Sequence, residues 1–255
     1  MERLKKTWIS SAHRGYVSDN MHENTLSAFK LAAEMGAQLI ETDARTTKDG
    51  VVVANHDAEV RGYDKDGNKV EYIISNTDSN VITQVVLAPN DPNGVQYVPT
   101  LKEVLHLAYM TGMNVNIDLK EGIKHAEDIA KLVVSTGMRG RVIYATNGAG
   151  AEAILKILKI VPQAHFIDTV DNYCAENLQS VPDYPSKCFA YTCDFSQEVI
   201  ASVRESGCML ACISIDKDNA IEAIKCHPDM MEYPHTSNFA EIDEMILSMS
   251  KAGLI

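Results

Sequence analysis

Short apolar runs of strand length alternate with longer segments of helical period through nearly the whole chain, and this rhythm restricts the fold more than any other feature. The strand candidates are Trp8–His13, Leu39–Ala44, Val115–Leu119, Val142–Ala145, His165–Thr169, Cys188–Cys193, Met209–Ile215 and Met230–Tyr233. Between them the spacing predicts helices, among them Leu26–Met35, Leu101–Met110, Ala126–Thr136, Ala151–Val161, Gln197–Glu205 and Ala220–Cys226. A last helix is expected at Phe239–Met249, where Phe239, Ile242, Ile246 and Met249 fall on one face. Thr100-Leu101-Lys102-Glu103 forms a capping box, with Pro99 just before it. Eight such pairs in 255 residues predict one domain over 1–255, an α/β fold of the (β/α)8 TIM-barrel type. An open doubly wound sheet is the competing architecture, but no glycine-rich phosphate loop follows the first strand.

One run breaks the rhythm. Val51–Asp57 follows the strand at Leu39–Ala44 after only Arg45 to Gly50, and Lys48-Asp49-Gly50 is a turn signal. A parallel crossover needs roughly a dozen residues, so this link has to be a hairpin that returns His56 to the level of Glu41 and Thr42. The stretch 58–98, rich in Asp, Asn and Gly, is expected to be a small insertion after the second strand that caps the barrel mouth.

Acidic residues outnumber basic ones, 35 to 23, for a net charge of −12. Such a surface repels nucleic acid and anionic membranes, so a small molecule is the expected partner, and an anionic one would need cations inside the site. No run reaches transmembrane length and Met1–Ser11 has no apolar stretch of signal-peptide length, so no stable membrane insertion and a cytoplasmic location are expected. The six cysteines, Cys174, Cys188, Cys193, Cys208, Cys212 and Cys226, show no CxxC spacing and are expected as reduced core thiols.

The residues able to do chemistry gather at expected strand ends: His13-Arg14-Gly15, Glu41-Thr42-Asp43, His56-Asp57 and Asp118-Leu119-Lys120. Side chains two apart on a strand share a face, so Glu41 and Asp43 point one way and Asn116, Asp118 and Lys120 another common way. With the apolar alternates against the helices, the charged set lines the barrel interior near its top. Burying these charges is costly unless they are paired or bind a metal, and three carboxylates without a thiolate suit Mg²⁺ or Ca²⁺. The plain alternative is a salt-bridge cluster of Glu41 with Arg45 and Asp118 with Lys120. Placement at carboxyl ends of strands, where barrel enzymes keep their sites, favours function. His13 and His56 flank the expected metal site and suit acid/base work. His22, His106, His125, His165, His227 and His235 are read as structural or surface residues, although His22 and His235 fall close to expected strand ends.

At these residues the sequence resembles the glycerophosphodiester phosphodiesterase family, of the phospholipase-C-like phosphodiesterase superfamily. The marks are AHRG (12–15), ENTLSAF (23–29), LIETDARTTKDGVVVANHD (39–57), VPTLKEVL (98–105), NVNIDLK (114–120) and MMEYP (230–234). The resemblance implies a TIM barrel with an inserted cap and one divalent cation held by Glu41, Asp43 and Asp118. It further implies His13 and His56 as general acid and base, Arg14 and Lys120 on the phosphate, and Glu23 orienting Arg14, with Glu232 in a supporting place. The chain departs from the family pattern at Asp118 (usually Glu), His22 (usually Pro), Ile213-Ser214 (usually Trp-Thr) and Glu232 (usually Asp).

The implied activity is metal-dependent hydrolysis of a glycerophosphodiester to glycerol 3-phosphate and an alcohol. The alternatives are a phospholipase D-like enzyme acting on lysophospholipid or sphingolipid headgroups, and a catalytically impaired glycerol phosphate-binding protein. An unrelated barrel acting on sugars is a weaker alternative, since its paired carboxylates would not require His13 and His56.

Overall fold

A computed structural model describes residues 6–146, 150–169 and 188–254. Its centre is a closed parallel barrel of eight strands: β1 (Ile9–Ala12), β2 (Leu39–Thr46), β8 (Asn114–Leu119), β9 (Val142–Ala145), β10 (His165–Thr169), β11 (Cys188–Thr192), β12 (Met209–Cys212) and β13 (Met230–Tyr233). Each strand pairs with the next, and β1 closes the ring by pairing with both β13 and β2. The chain therefore adopts the (β/α)8 TIM-barrel fold. The helix boundaries lie within a few residues of the periodic segments, and Thr100 and Glu103 form the reciprocal capping box at Leu101–Thr111.

Alternation along the strands sorts the side chains into two layers. Ile40, Val115, Ile117, Tyr144, Phe166, Leu210 and Tyr233 face outward and pack with helix residues such as Phe29, Leu105, Ile129, Ile154 and Phe239. Each fully buried side chain of this size contributes roughly 2 kcal/mol. Inside the barrel, Leu39, Ile143, Ile167, Phe189 and Met230 fill the lower level. Two residues further along, β2 and β13 replace the apolar filling with Glu41 and Glu232. The polar site thus rests on an apolar floor.

The hairpin forms as the sequence requires. Strand β3 (Val52–Ala54) runs antiparallel to β2, pairing Ala44 with Ala54 and Thr46 with Val52. The Asn55 N–H then donates to the Asp43 carbonyl at 3.1 Å, and the same register sets His56 abreast of Thr42. Beyond it, β4 (Glu59–Tyr63), β5 (Lys69–Ile73), β6 (Val86–Ala88) and β7 (Gln96–Tyr97) make a separate antiparallel sheet in the order β5-β4-β6-β7. Val53, Val60, Ile74, Ile82, Val85 and Val98 give it a small core of its own. Among the cysteines, Cys188, Cys208 and Cys212 are buried and Cys226 is partly so, whereas Cys193 is exposed at the end of β11 rather than in the core; Cys174 lies outside the described residues.

The last helix, Phe239–Lys251, is locked to the first and last strands through one carboxylate. Asp243 accepts from Trp8 Nε1 at 3.1 Å, Ser10 Oγ at 2.7 Å and Tyr233 Oη at 2.5 Å, and pairs with Lys6 Nζ at 2.6 Å. Replacing it leaves several donors without an acceptor in a low-dielectric seam. The Asp243→Ala protein is expected to lose about 3 kcal/mol and to melt roughly 6–12 °C lower. An unchanged melting temperature in a thermal scan would show that the seam closes without the carboxylate.

Candidate active site

The site is built where β1, β2, β8 and β13 reach the carboxyl end of the barrel. Parallel pairing sets Glu41 beside Asn116 and Asp43 beside Asp118, while Ser11 stands beside Glu232. Oxygens of Glu41, Asp43 and Asp118 all lie within 4.8 Å of one another. Lys120 folds back between two of them, with Nζ 3.0 Å from Asp43 Oδ1 and 2.6 Å from Asp118 Oδ2. Arg14 places Nε 3.3 Å from Asp43 Oδ2 and Nη1 3.0 Å from Glu23 Oε1, and its backbone N–H donates to Glu41 Oε2 at 3.0 Å. Of the two ion pairs of the plain salt-bridge alternative, Asp118–Lys120 forms and Glu41–Arg45 does not. Alternation gives Arg45 the same face as Glu41, but two rungs further along the strand it meets the returning hairpin and reaches Glu121 Oε1 at 3.7 Å and the His56 carbonyl at 2.8 Å instead.

The electrostatics are uneven. Although burial alone would raise Asp43, the Lys120 ammonium, the Asn24 hydrogen bond and Arg14 hold it below its ordinary value. For Glu41 the hydrogen bond from the Arg14 backbone is outweighed: burial, then Asp43, Glu232 and Asp118, push it well above the usual carboxylate range. Burial also pushes Glu232 up to about 7, with a Ser11 hydroxyl opposing and Asp118 and Asp43 adding. Five carboxylates, counting Glu23, thus face two fixed cations. A set of carboxylate oxygens, Glu41 and Asp43 buried and Asp118 partly so, whose charge Arg14 and Lys120 offset only in part, fits a hard divalent cation.

The two imidazoles have different surroundings. His13 Nε2 lies 3.8 Å from Glu41 Oε2, and burial, with Arg14 beside it, brings its pKa down to about 4. His56 sits on the hairpin, half-exposed, with Nδ1 2.8 Å from Asp57 Oδ1. A cavity of about 140 Å³ is lined by His13, Glu41, Asn116, Asp118, Tyr191 and Glu232, among others. A larger one, about 740 Å³, lies outside the barrel between the helix Leu26–Glu34 and the small sheet and touches none of these groups. The reactive groups decide which cavity matters.

Two residues read as bystanders, or not singled out at all, prove to be part of the framework. Asn24 donates to Asp43 Oδ2 at 2.7 Å and accepts from Thr42 Oγ1 at 3.1 Å, fixing the carboxylate from the side opposite Lys120. His235 brings its ring to 6.4 Å from that of His13, and its Nδ1 lies 3.4 Å from Glu23 Oε2. Asn24 sits inside the ENTLSAF motif, so a signal for it existed; His235 arrives only through closure of β13 on β1.

Comparison with known proteins agrees with this geometry. The profile of the glycerophosphoryl diester phosphodiesterase family matches residues 13–160. A probable glycerophosphodiester phosphodiesterase 2 of Mycobacterium tuberculosis is 34% identical over 112 residues, covering 44% of this chain and 38% of the relative. A glycerophosphodiester phosphodiesterase of Caldanaerobacter subterraneus subsp. tengcongensis is 39% identical over 118 residues, 44% of this chain and 45% of the relative. The chain therefore spans less than half the length of either curated relative. Over nearly the whole chain the fold matches a glycerophosphodiester phosphodiesterase of Agrobacterium tumefaciens, with TM-score 0.70, 21% identity and coverage of 92% and 99%. It also matches an Oleispira antarctica phosphodiesterase solved with its product sn-glycerol-3-phosphate, with TM-score 0.71, 17% identity and coverage of 93% and 96%.

The loop that presents His13 and Arg14 depends on Gly15. Its φ is +86°, and a Cβ there would come within 2.8 Å of the Ala28 backbone. The Gly15→Ala protein is expected to lose at least ~1–2 kcal/mol from backbone strain alone, before the clash is counted. A Gly15→Ala protein as stable to urea as its parent would contradict this geometry.

Proposed function

The chain belongs to the glycerophosphoryl diester phosphodiesterase family, and from that premise we propose that it hydrolyses glycerophosphodiesters to glycerol 3-phosphate and an alcohol. The observation that carries the reading is the meeting of Glu41, Asp43 and Asp118 with Arg14, Lys120 and His13 at one end of the barrel. The sn-glycerol-3-phosphate held by the Oleispira antarctica neighbour supports the choice of product.

Glu41, Asp43 and Asp118 would hold one divalent cation, Mg²⁺ or Ca²⁺. Bound there, it supplies Lewis-acid neutralisation of charge on a phosphate oxygen. The protein's own groups do the rest. Arg14 and Lys120 grip the remaining phosphate oxygens and stabilise the charge that grows on them. Glu23 and Asp43 aim the Arg14 guanidinium, and Asn24 keeps Asp43 in place. His13, beside the carboxylate cluster, takes a proton from the attacking hydroxyl. Where that is water, glycerol 3-phosphate forms directly; where it is the neighbouring glycerol hydroxyl, a cyclic phosphate forms first and water then opens it to glycerol 3-phosphate. His56, with Asp57 orienting its ring, donates a proton to the departing alcohol. Glu232 lines the inner wall of the cavity in a supporting place. The insertion that carries β4–β7 serves as a cap subdomain on this single barrel domain.

Among the described residues no helix is long and apolar enough to cross a membrane. The assay therefore includes glycerophosphocholine beside lysophosphatidylcholine, which carries the same phosphocholine ester on a lipid. Chelation is expected to abolish turnover of glycerophosphocholine, and added Mg²⁺ or Ca²⁺ to restore it. His13→Ala and His56→Ala are each expected to lower turnover by about 10²–10⁴. Full activity after exhaustive chelation, or in His56→Ala, would remove the corresponding part of the mechanism.

A further inference from the structure

The end of the last barrel strand brings a third imidazole to the same mouth. The His13 N–H donates to the Tyr233 carbonyl at 3.0 Å, and the Val17 N–H donates to the His235 carbonyl at 2.8 Å. Backbone hydrogen bonds thus tie the loop after β13 to the loop after β1. The His235 ring is tilted 35° to that of His13. Its Nδ1 is buried 3.4 Å from Glu23 Oε2 and completes no hydrogen bond at that distance and angle. The other oxygen of Glu23, Oε1, accepts from Arg14 Nη1 at 3.0 Å. One carboxylate is shared between an imidazole and a guanidinium.

On the reading that Arg14 grips the phosphodiester, we propose that His235 is a positioning residue of the phosphate site, acting through Glu23 to fix the direction of the Arg14 guanidinium. Arg14 has three anchors: Glu41 on its backbone N–H, Asp43 on Nε and Glu23 on Nη1. The first two belong to the carboxylate cluster, whereas Glu23 stands outside it. A carboxylate with one partner can turn about its last bond. With a partner on each oxygen it cannot turn without losing one of them. His235 Nδ1, 3.4 Å from the second oxygen, is placed to become that partner after a small rotation, and its own backbone is pinned by Val17. The guanidinium is a planar fork whose grip on phosphate depends on direction, so a small rotation of Glu23 carries through to the reacting phosphate.

Three replacements separate this role from others. Asn at 235 can place an amide nitrogen close to where Nδ1 stands, Gln extends it one bond further, and Ala offers nothing. His235→Ala and His235→Gln are expected to lower kcat/KM on glycerophosphocholine, and to weaken binding of inorganic phosphate by calorimetry, each about tenfold, with His235→Asn within about twofold of the parent. Adding His235→Ala to Glu23→Gln should cost less than about twofold more, because the two act as one unit. The proposal is overturned if His235→Asn is as impaired as His235→Ala, which would give the ring itself the work. It also falls if all three variants match the parent, if the double variant's losses multiply, or if activity merely follows melting temperature. A parent protein that turns over no diester would sink the phosphodiesterase reading, while the phosphate affinities would still decide the part played by His235.

Discussion

The structure depends on how several carboxylates are kept together at one end of a barrel. The register of β2 on β8 sets Asp43 directly beside Asp118, with Glu41 one rung lower and Glu232 across the interior. Like charges in such a place repel strongly, and taking them out of water costs several kcal/mol per ion even before they meet. Lys120 compensates the Asp43–Asp118 pair, and Arg14 compensates the far edge of Asp43. Glu41 receives only a backbone N–H, and its carboxyl is correspondingly driven upward. A group of this kind persists only when the surrounding chain forces it to. Here it does so through residues in uncommon backbone conformations: Arg14 and Asn24 have φ of 56° and 54°, both left-handed without being glycine. Hydrogen bonds from Arg14 to Glu41 and from Asn24 to Asp43 hold the strain in place. The unfavourable charge and the unfavourable backbone belong to the same few residues, which is the pattern expected where function outweighs stability.

Much of the fold was legible because a barrel strand and its helix differ in period. Val115, Ile117 and Leu119 alternate with Asn116 and Asp118, and a one-residue slip would turn the second set against the helices in place of the first. The hairpin after β2 followed from loop length alone. The small sheet beyond it did not. Strand β5 alternates exposed and half-buried residues without a single buried one, and β6 and β7 are only three and two residues long. Such strands carry little hydrophobic signal, since they cover one small core and face water on the other side. The Asp64-Lys65-Asp66-Gly67 turn was the one strong local cue. Asp64 Oδ1 there accepts from the N–H groups of Asp66 and Asn68, and Gly67 takes a φ of +84°.

The site was legible where one strand carries several of its residues and illegible where closure of the ring brings distant loops together. Glu41 with Asp43, and Asn116 with Asp118, could be assigned a common face by counting in twos. The Glu41–Arg45 pairing passes that same count and still does not form, because two rungs up the strand Arg45 meets Glu121 and the His56 carbonyl on neighbouring loops. His235 lies 222 positions from His13, and although it directly follows the MMEYP motif at an expected strand end, the sequence does not show that it meets the loop after β1. Its approach follows from β13 pairing with β1, a contact set by the last step of barrel closure.

Closure also accounts for the shorter carboxylate at position 118. An Asp carries its oxygens one methylene nearer the backbone than a Glu, so it reaches a shared point only if its strand is close and its Cα is level with its partners. Position 118 meets both conditions. It is the direct parallel neighbour of Asp43, and the Lys120 N–H bonds back to the Asp118 carbonyl at 3.1 Å, turning the chain at that point. The turn also brings Nζ of Lys120 to the Asp118 carboxylate. Were the residue one rung lower, at position 116, the same side chain would fall short, and what stands there is Asn116, whose buried Oδ1 has no hydrogen-bond partner among the described residues. The short acid therefore fits because of its height on the strand, and the geometry of the ring, more than the length of the side chain, decides which residues can share a ligand.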